Sequence, residues 1–251
     1  MLQTGRTGRI VLVTSGKGGS GKSTFAVNCG TELAQRGRRV LLVDADTGLR
    51  SLDLMLGVED RALFDLGDVL AGRCETGKAI IVTDCHDLHL LPAPLGACNG
   101  LAESDVVVGL YRGLTAYYDW VIVDSPAGIG AGVTAPAGAA DTVVVVATPD
   151  PVCIRDAERL AQALRASGAD NLRLVLNKVD ARLIRKHVLP DLDAAIDGTS
   201  VQLIGVVPDD RRVLSAAAAG RPVTVLRGGA ATAFRNIAAR LEGEDMPLMK
   251  L

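Results

Sequence analysis

The stretch that most narrows what this chain can fold into is Gly16-Lys17-Gly18-Gly19-Ser20-Gly21-Lys22-Ser23-Thr24. It joins a short β-branched run, Arg9-Ile10-Val11-Leu12-Val13-Thr14, to helix-forming residues that continue to Arg36-Gly37. A strand, a glycine-rich turn of pattern G-x-x-x-x-G-K-S and a helix together form a phosphate-binding P-loop in its required context. Glycines let several backbone N–H groups converge on one anion without interference from a Cβ. The helix N-terminus aims its dipole and its unpaired donors at the same point. In this pattern Lys22 reaches β/γ-phosphate oxygens, and the Ser23 hydroxyl can ligate Mg²⁺.

A P-loop demands a sheet to carry it, and the composition suits a parallel one. Apolar residues make up 48% of the 251-residue chain and aromatics only 3%. The core must therefore be Val, Leu, Ile and Ala, which fits strands buried on both faces better than an aromatic-rich sandwich. Twenty-seven basic and 29 acidic residues leave a net charge of −2, so no global field favours nucleic acid or membrane. The five cysteines include no C-x-x-C pair. Neither a disulfide framework nor a zinc or cluster site is indicated, and Cys29 and Cys153 read as small apolar fillers in a reducing compartment. With no apolar signal core and no run near ~20 apolar residues, the expectation is a cytoplasmic protein.

Along the chain, strands alternate with helices. Strands are expected at 9–14, 38–44, 79–82, 88–91, 120–124, 142–147, 172–177 and 201–207. Helices are expected after the P-loop and at 61–70, 103–117, 154–166, 181–196, 211–219 and 230–242. Ser125 to Ala140 is Gly/Ala/Pro-rich, soft enough for a switch segment. The alternation implies right-handed βαβ units, hence one α/β P-loop NTPase domain over 1–251. Its sheet is mostly parallel with helices on both faces, and 243–251 is expected to be a flexible tail.

Ligands of such sheets sit at the carboxyl ends of the strands. Three ends carry suitable groups: the P-loop, Asp44 with Asp46, and Asp124. A carboxylate ending an apolar run such as Val121-Ile122-Val123 is costly unless it meets a cation or good donors. Mg²⁺ held by Ser23, with Asp124 acting directly or through water, supplies that cation.

With those residues assembled, the chain resembles a known family. Lys17-Gly18-Gly19-Ser20-Gly21-Lys22-Ser23-Thr24 is similar to the deviant Walker A motif of the MinD/ParA ATPases, which carries a second lysine early in the loop. Asp44-Ala45-Asp46-Thr47-Gly48-Leu49-Arg50-Ser51-Leu52-Asp53 resembles switch I of the MinD branch, and Asp124-Ser125-Pro126-Ala127-Gly128 its Walker B and switch II. Gly205-Val206-Val207-Pro208-Asp209-Asp210 resembles the nucleotide-base loop. The matches span residues 9 to about 225.

The resemblance implies an ATP-dependent homodimer with slow Mg²⁺-ATP hydrolysis, acting in division-site placement with a protein regulator. It implies that Lys17 reaches the partner's phosphates, that Lys22 binds β/γ-phosphate, and that Asp46 orients the attacking water. Ser23 would ligate Mg²⁺ while Asp44 and Asp124 hold its water shell. Gly18, Gly19, Ser20, Gly21 and Thr24 would cradle the phosphates, with Asn177, Pro208 and Asp209 around adenine. Asn177-Lys178-Val179-Asp180 is also the N-K-x-D string by which GTPases read guanine; the whole pattern favours ATP.

One feature departs from the branch. Its members end in a basic amphipathic helix that binds membrane, whereas the tail here, from Gly243 on, holds one lysine, acidic neighbours and Pro247. Phe234, Ile237, Ala238 and Leu241 form a stripe with the spacing of core packing. Membrane association at the inner face of the cell membrane is thus weakly supported. Two basic clusters, Arg182/Arg185/Lys186 and Arg211/Arg212 with Arg221, read as solvated faces. If they merge, a ParA-like role on non-specific DNA gains weight. His86, His89 and His187 lack ligand spacing, and Cys98 alone cannot hold a cluster. A flagellar-placement role and a nucleotide-gated scaffold with negligible turnover are further alternatives.

Overall fold

The computed structural model describes residues 8–47, 50–96, 104–186, 188 and 192–249. In chain order the elements are β1 (Arg9–Thr14), α1 (Lys22–Gln35), β2 (Val40–Asp44), α2 (Leu52–Leu56), α3 (Leu66–Leu70), α4 (Thr76–Ala79), β3 (Ile81–Val82) and β4 (Leu88–Leu91). Then follow α5 (Ser104–Leu114), β5 (Trp120–Asp124), α6 (Ala131–Ala137), β6 (Thr142–Ala147), α7 (Pro151–Ala166) and β7 (Leu172–Val179). The chain continues with α8 (Ala181–Arg185), α9 (Leu192–Thr199), β8 (Gln202–Pro208), α10 (Arg211–Ala218) and α11 (Gly229–Leu241). The sheet order is β3-β4-β2-β5-β1-β6-β7-β8, with every pairing parallel except β3 with β4. The expected α/β fold, a mostly parallel sheet covered on both faces, is what forms.

Strand alternation splits the core in two. Ile10 and Leu12 of β1 face a layer built with Tyr111 of α5, Val133 of α6 and Leu160 of α7. Val11 and Val13 face the opposite layer, with Phe25 and Leu33 of α1 and Phe234, Ile237 and Ala238 of α11. The apolar stripe of α11 is indeed core: Phe234 and Ile237 are buried, and the Phe234 ring lies 6.3 Å from that of Phe25. Cys29 and Cys153 are buried free thiols, as their apolar reading required.

Three expected helices need correction. No helix spans 61–70: a 3₁₀ turn ends at Arg61, Leu63 is exposed, and α3 starts only after Asp65. Asp65 and Asp68 form a reciprocal capping box, so the local cap outcompeted the leucine spacing. The stretch expected as helix over 181–196 is two short helices, α8 and α9, with Pro190 between them. A proline has no N–H to continue a helical ladder. Helix α7 begins at Pro151 rather than Ile154, because Asp150 accepts from the Cys153 N–H as N-cap and Pro151 takes the first turn. The expectations at Cys98 and His187 lie outside the described residues.

Phe234 joins α11 to α1, the helix that carries the P-loop lysine. Phe234→Ala should cost about 3–5 kcal/mol, the usual cost of emptying a buried aromatic site. Urea unfolding should show this as a lower midpoint with an unchanged slope.

Candidate functional site

The site is set by the strand register. On neighbouring strands Asp44 of β2 lies opposite Asp124 of β5, and Asp124 lies opposite Val13 of β1. Two carboxylates thus end adjacent strands beside the loop that leaves β1. Both are fully buried. Burial pushes the Asp44 carboxyl up to about 6, against hydrogen bonds from the Leu52 and Asp46 N–H groups that pull the other way. Burial, together with the nearby Asp44 charge, pushes Asp124 up to about 7, opposed by Ser23 and Lys22. The Asp44 oxygens accept from the N–H groups of Asp46 at 3.1 Å, Ser51 at 3.2 Å and Leu52 at 3.2 Å, so this carboxylate ties down both ends of the following loop. The Asp124 oxygens make no hydrogen bond in the protein; Ser23 stands near enough to lower the proton affinity but not in bonding geometry.

Orphaned polar atoms cluster here. The buried Thr14 and Ser20 hydroxyls and both Asp124 oxygens lack partners. Most buried polar groups find one, so such a concentration marks where a polar ligand belongs. Gly19 and Gly21 adopt φ of 80° and 98°, a left-handed region only glycine enters cheaply. A Cβ on Gly21 would collide with the Asn177 amide. Lys22 is buried at the start of α1, whereas Lys17 and the glycines 18 and 19 are exposed. Lys17 is held by its backbone, whose carbonyl accepts from Ser15 Oγ at 2.8 Å. Its charge is felt by Asp150: burial raises that carboxyl, but hydrogen bonds from Thr148 and Cys153 and the Lys17 charge outweigh it, leaving it below the usual range.

Lys17, Gly18, Gly19, Ser20, Gly21, Lys22, Ser23, Thr24, Asp44, Asp46 and Asp124 are therefore gathered at one end of the sheet. Among the described residues no group of three or more His, Cys, Asp or Glu side chains could hold a metal alone. That donor set suits Mg²⁺, which keeps waters and phosphate oxygens as most of its ligands. The orphaned Asp124 oxygens beside the Ser23 hydroxyl fit such an ion.

The second group lies one strand pair away. Asp209 N–H donates to the Val179 carbonyl at 3.0 Å, joining the ends of β7 and β8. Asp180 caps α8 and Asp210 caps α10. Around them is a cavity of about 630 Å³ lined by Asp180, Pro208, Asp209, Gly229 and Met249. Arg182, Arg185 and Arg211 line it as well, so the two basic clusters converge there in part. Asn177 is turned to the P-loop, its Nδ2 donating to the Ser20 carbonyl at 2.8 Å. The C-terminal segment folds back, with Arg240 donating to the Met246 and Pro247 carbonyls. Sequence reading passed over one polar contact of the loop, from Lys178, and one charge beside it, Asp150. Asp150 was signalled by an Asp-Pro helix start; Lys178, whose Nζ donates to the Gly19 carbonyl at 2.8 Å, was hidden by strand alternation.

This is the site of a nucleotide-binding P-loop protein in which a second lysine stands at the loop's mouth. The chain belongs to the CobQ/CobB/MinD/ParA nucleotide binding domain family, which it matches over residues 11–223. It is 38% identical over 248 residues to the septum site-determining protein MinD of Bacillus subtilis, covering 97% of this chain and 92% of that protein. A solved MinC:MinD cell division protein complex from Aquifex aeolicus superposes with a TM-score of 0.87 at 33% identity, over 96% of this chain and 99% of that one. MinD from Pyrococcus horikoshii complexed with Mg-ADP gives a TM-score of 0.83 at 28% identity, over 93% and 96%. The family is one of P-loop ATPases, and its MinD branch takes part in division-site placement.

The raised Asp124 carboxyl carries a sign that can be checked without ligand. A group whose proton affinity rises on folding stabilises the fold below the ordinary carboxylate value of 3.8, and that contribution is lost as pH climbs through about 7. The nucleotide-free chain should therefore melt lower at about pH 8 than at about pH 5. Asp124→Asn should flatten that slope and raise the midpoint at about pH 8 by roughly 5 °C, read by calorimetry across pH.

Proposed function

We propose that the chain is a Mg²⁺-ATP-dependent dimerising ATPase switch of the MinD type, acting in division-site placement. The observation that carries this is the pair of buried, register-matched carboxylates Asp44 and Asp124 beside a loop bearing both a buried and an exposed lysine. The buried Lys22 neutralises β/γ-phosphate charge of the nucleotide in its own loop. Ser23 ligates Mg²⁺, and Asp44 and Asp124 hold its water shell; the ion, when bound, supplies positive charge where charge develops on the transferring phosphoryl group. Asp46 orients the attacking water, whose oxygen forms the new bond to the γ-phosphorus as the bond to the β-bridging oxygen breaks, giving ADP and phosphate. The exposed Lys17 reaches the phosphates of a second copy, like an arginine finger supplied in trans. The base is proposed to lie against Asn177, Pro208 and Asp209, the last two of which line the cavity at the ends of β7 and β8.

As partners we propose a second copy of the chain and a division regulator; the MinC:MinD complex among the structural relatives supports the latter. No helix among the described residues is long and apolar enough to cross a membrane. A ParA-like role on non-specific DNA is supported by the convergence of Arg182, Arg185 and Arg211 on one cavity. Binding that falls steeply with salt would favour it, and no shift of DNA at low salt would remove it.

Lys17→Ala should bind ATP with an affinity close to the parent's, yet fail to dimerise and lose at least ~100-fold in turnover, as expected for a cation acting in trans. Light scattering with phosphate release reads both; parental turnover in that variant would sink the sandwich arrangement. Excess GTP should fail to displace labelled ATP.

A further inference from the structure

Strand β7 has an irregularity that no role so far uses. Leu176 is paired with Val206 and Val179 with Pro208, so β7 carries one more residue than β8 between those pairs. A bulge of this kind leaves a residue unpaired and re-aims side chains. Its effect is visible in the core: Leu174 and Leu176 lie in one layer and Val175 in the other, yet Val179 returns to the layer of Leu176. Strict alternation would have put Leu176 and Val179 on opposite faces. The residues at the slip are Asn177 and Lys178, and Lys178 has a φ of 54°, which a residue with a Cβ adopts at a cost.

Both side chains are spent on the P-loop. Asn177 Nδ2 donates to the Ser20 carbonyl and Lys178 Nζ to the Gly19 carbonyl, each at 2.8 Å. Asn177 Oδ1 accepts from the Lys178 N–H at 2.9 Å, which fixes the amide's orientation. A trans peptide is planar, with its C=O and N–H pointing in opposite directions. Holding the Gly19 oxygen toward β7 therefore turns the Ser20 N–H away from β7, and holding the Ser20 oxygen does the same to the Gly21 N–H. Among the described residues the Gly21 N–H has no protein acceptor, and the Ser20 N–H closes only the loose turn over Gly18 and Gly19, outside the geometry of a full hydrogen bond. Unpaired N–H groups of this kind make the anion nest of a phosphate loop.

We propose that Lys178 is a positioning residue: with Asn177, and by way of the β7 bulge, it grips the outer carbonyls of the P-loop and presets its inner N–H groups for phosphate. The inference rests on the phosphate-binding reading of that loop. A peptide free to rotate must be ordered when ligand arrives, and a gripped one has already met that cost. Lys178 thereby acts on the phosphate end of the nucleotide although it sits in the string that reads the base in GTPases.

The test separates the two ends. Tripolyphosphate serves as the phosphate-only probe and adenosine as the base-only probe, each displacing a fluorescent ATP analogue from the full chain. Lys178→Met, which keeps the stem and the backbone φ demand but removes the donor, should weaken tripolyphosphate about tenfold, in line with loss of a charge-assisted hydrogen bond. Adenosine should be unchanged, and Lys178→Arg should recover most of the loss. The nucleotide-free melting point of each variant shows whether the fold is intact. A loss confined to adenosine would make Lys178 a base contact, and affinities unchanged from the parent for both probes would make it an idle lysine; either overturns the proposal. No tripolyphosphate binding by the parent chain would instead remove the reading of the loop itself, and the proposal with it.

Discussion

Everything at this site depends on two carboxylates held out of water at the ends of adjacent strands. Removing a charged carboxylate from solvent is among the costliest things a fold can do. Here Asp44 offsets the cost with backbone donors, and Asp124 leaves it standing, with both oxygens unpartnered. The β2-β5-β1 order enforces the arrangement, because parallel pairing brings the carboxyl ends of those strands level. The protein thus stores an unmet demand for a cation next to a loop that demands an anion. A metal–phosphate pair answers both at once.

The two core layers transmit this demand differently. The layer under α1 and α11 fixes the helix whose N-terminus faces the phosphate position. The opposite layer fixes α7, whose cap, Asp150, stands within reach of the Lys17 charge. Lys22 belongs to the packed side of the loop and Lys17 to its open side. The difference in burial between two lysines a few residues apart is what permits the two roles proposed for them.

Much of this was legible in the sequence. The P-loop, the strand-ending aspartates and the α/β alternation are local patterns whose physics is complete within a short window. What the sequence concealed depended on competition or on distance. Leu63, Leu66 and Leu70 have helical spacing, but the Asp65/Asp68 capping box set the helix start. Asn177 reads as a base contact by resemblance, and nothing in its local string announces the hydrogen bond it makes to the Ser20 carbonyl, far away along the chain. A bulge leaves no mark in the order of residues, since it exists only in the mismatch of one strand against another. Cys29 and Cys153 were legible for the opposite reason: a small apolar side chain in a helix asks nothing of distant residues.

The outermost strand, β8, carries a further consequence. At its own irregularity the Ile204 carbonyl is taken by Arg240, whose guanidinium also holds the Met246 and Pro247 carbonyls. At the other margin β3 is only two residues long and antiparallel. Neither border offers an uninterrupted ladder to a neighbouring chain, so growth by strand addition is blocked on both flanks. The second copy proposed above would therefore have to meet this chain elsewhere than along a sheet edge.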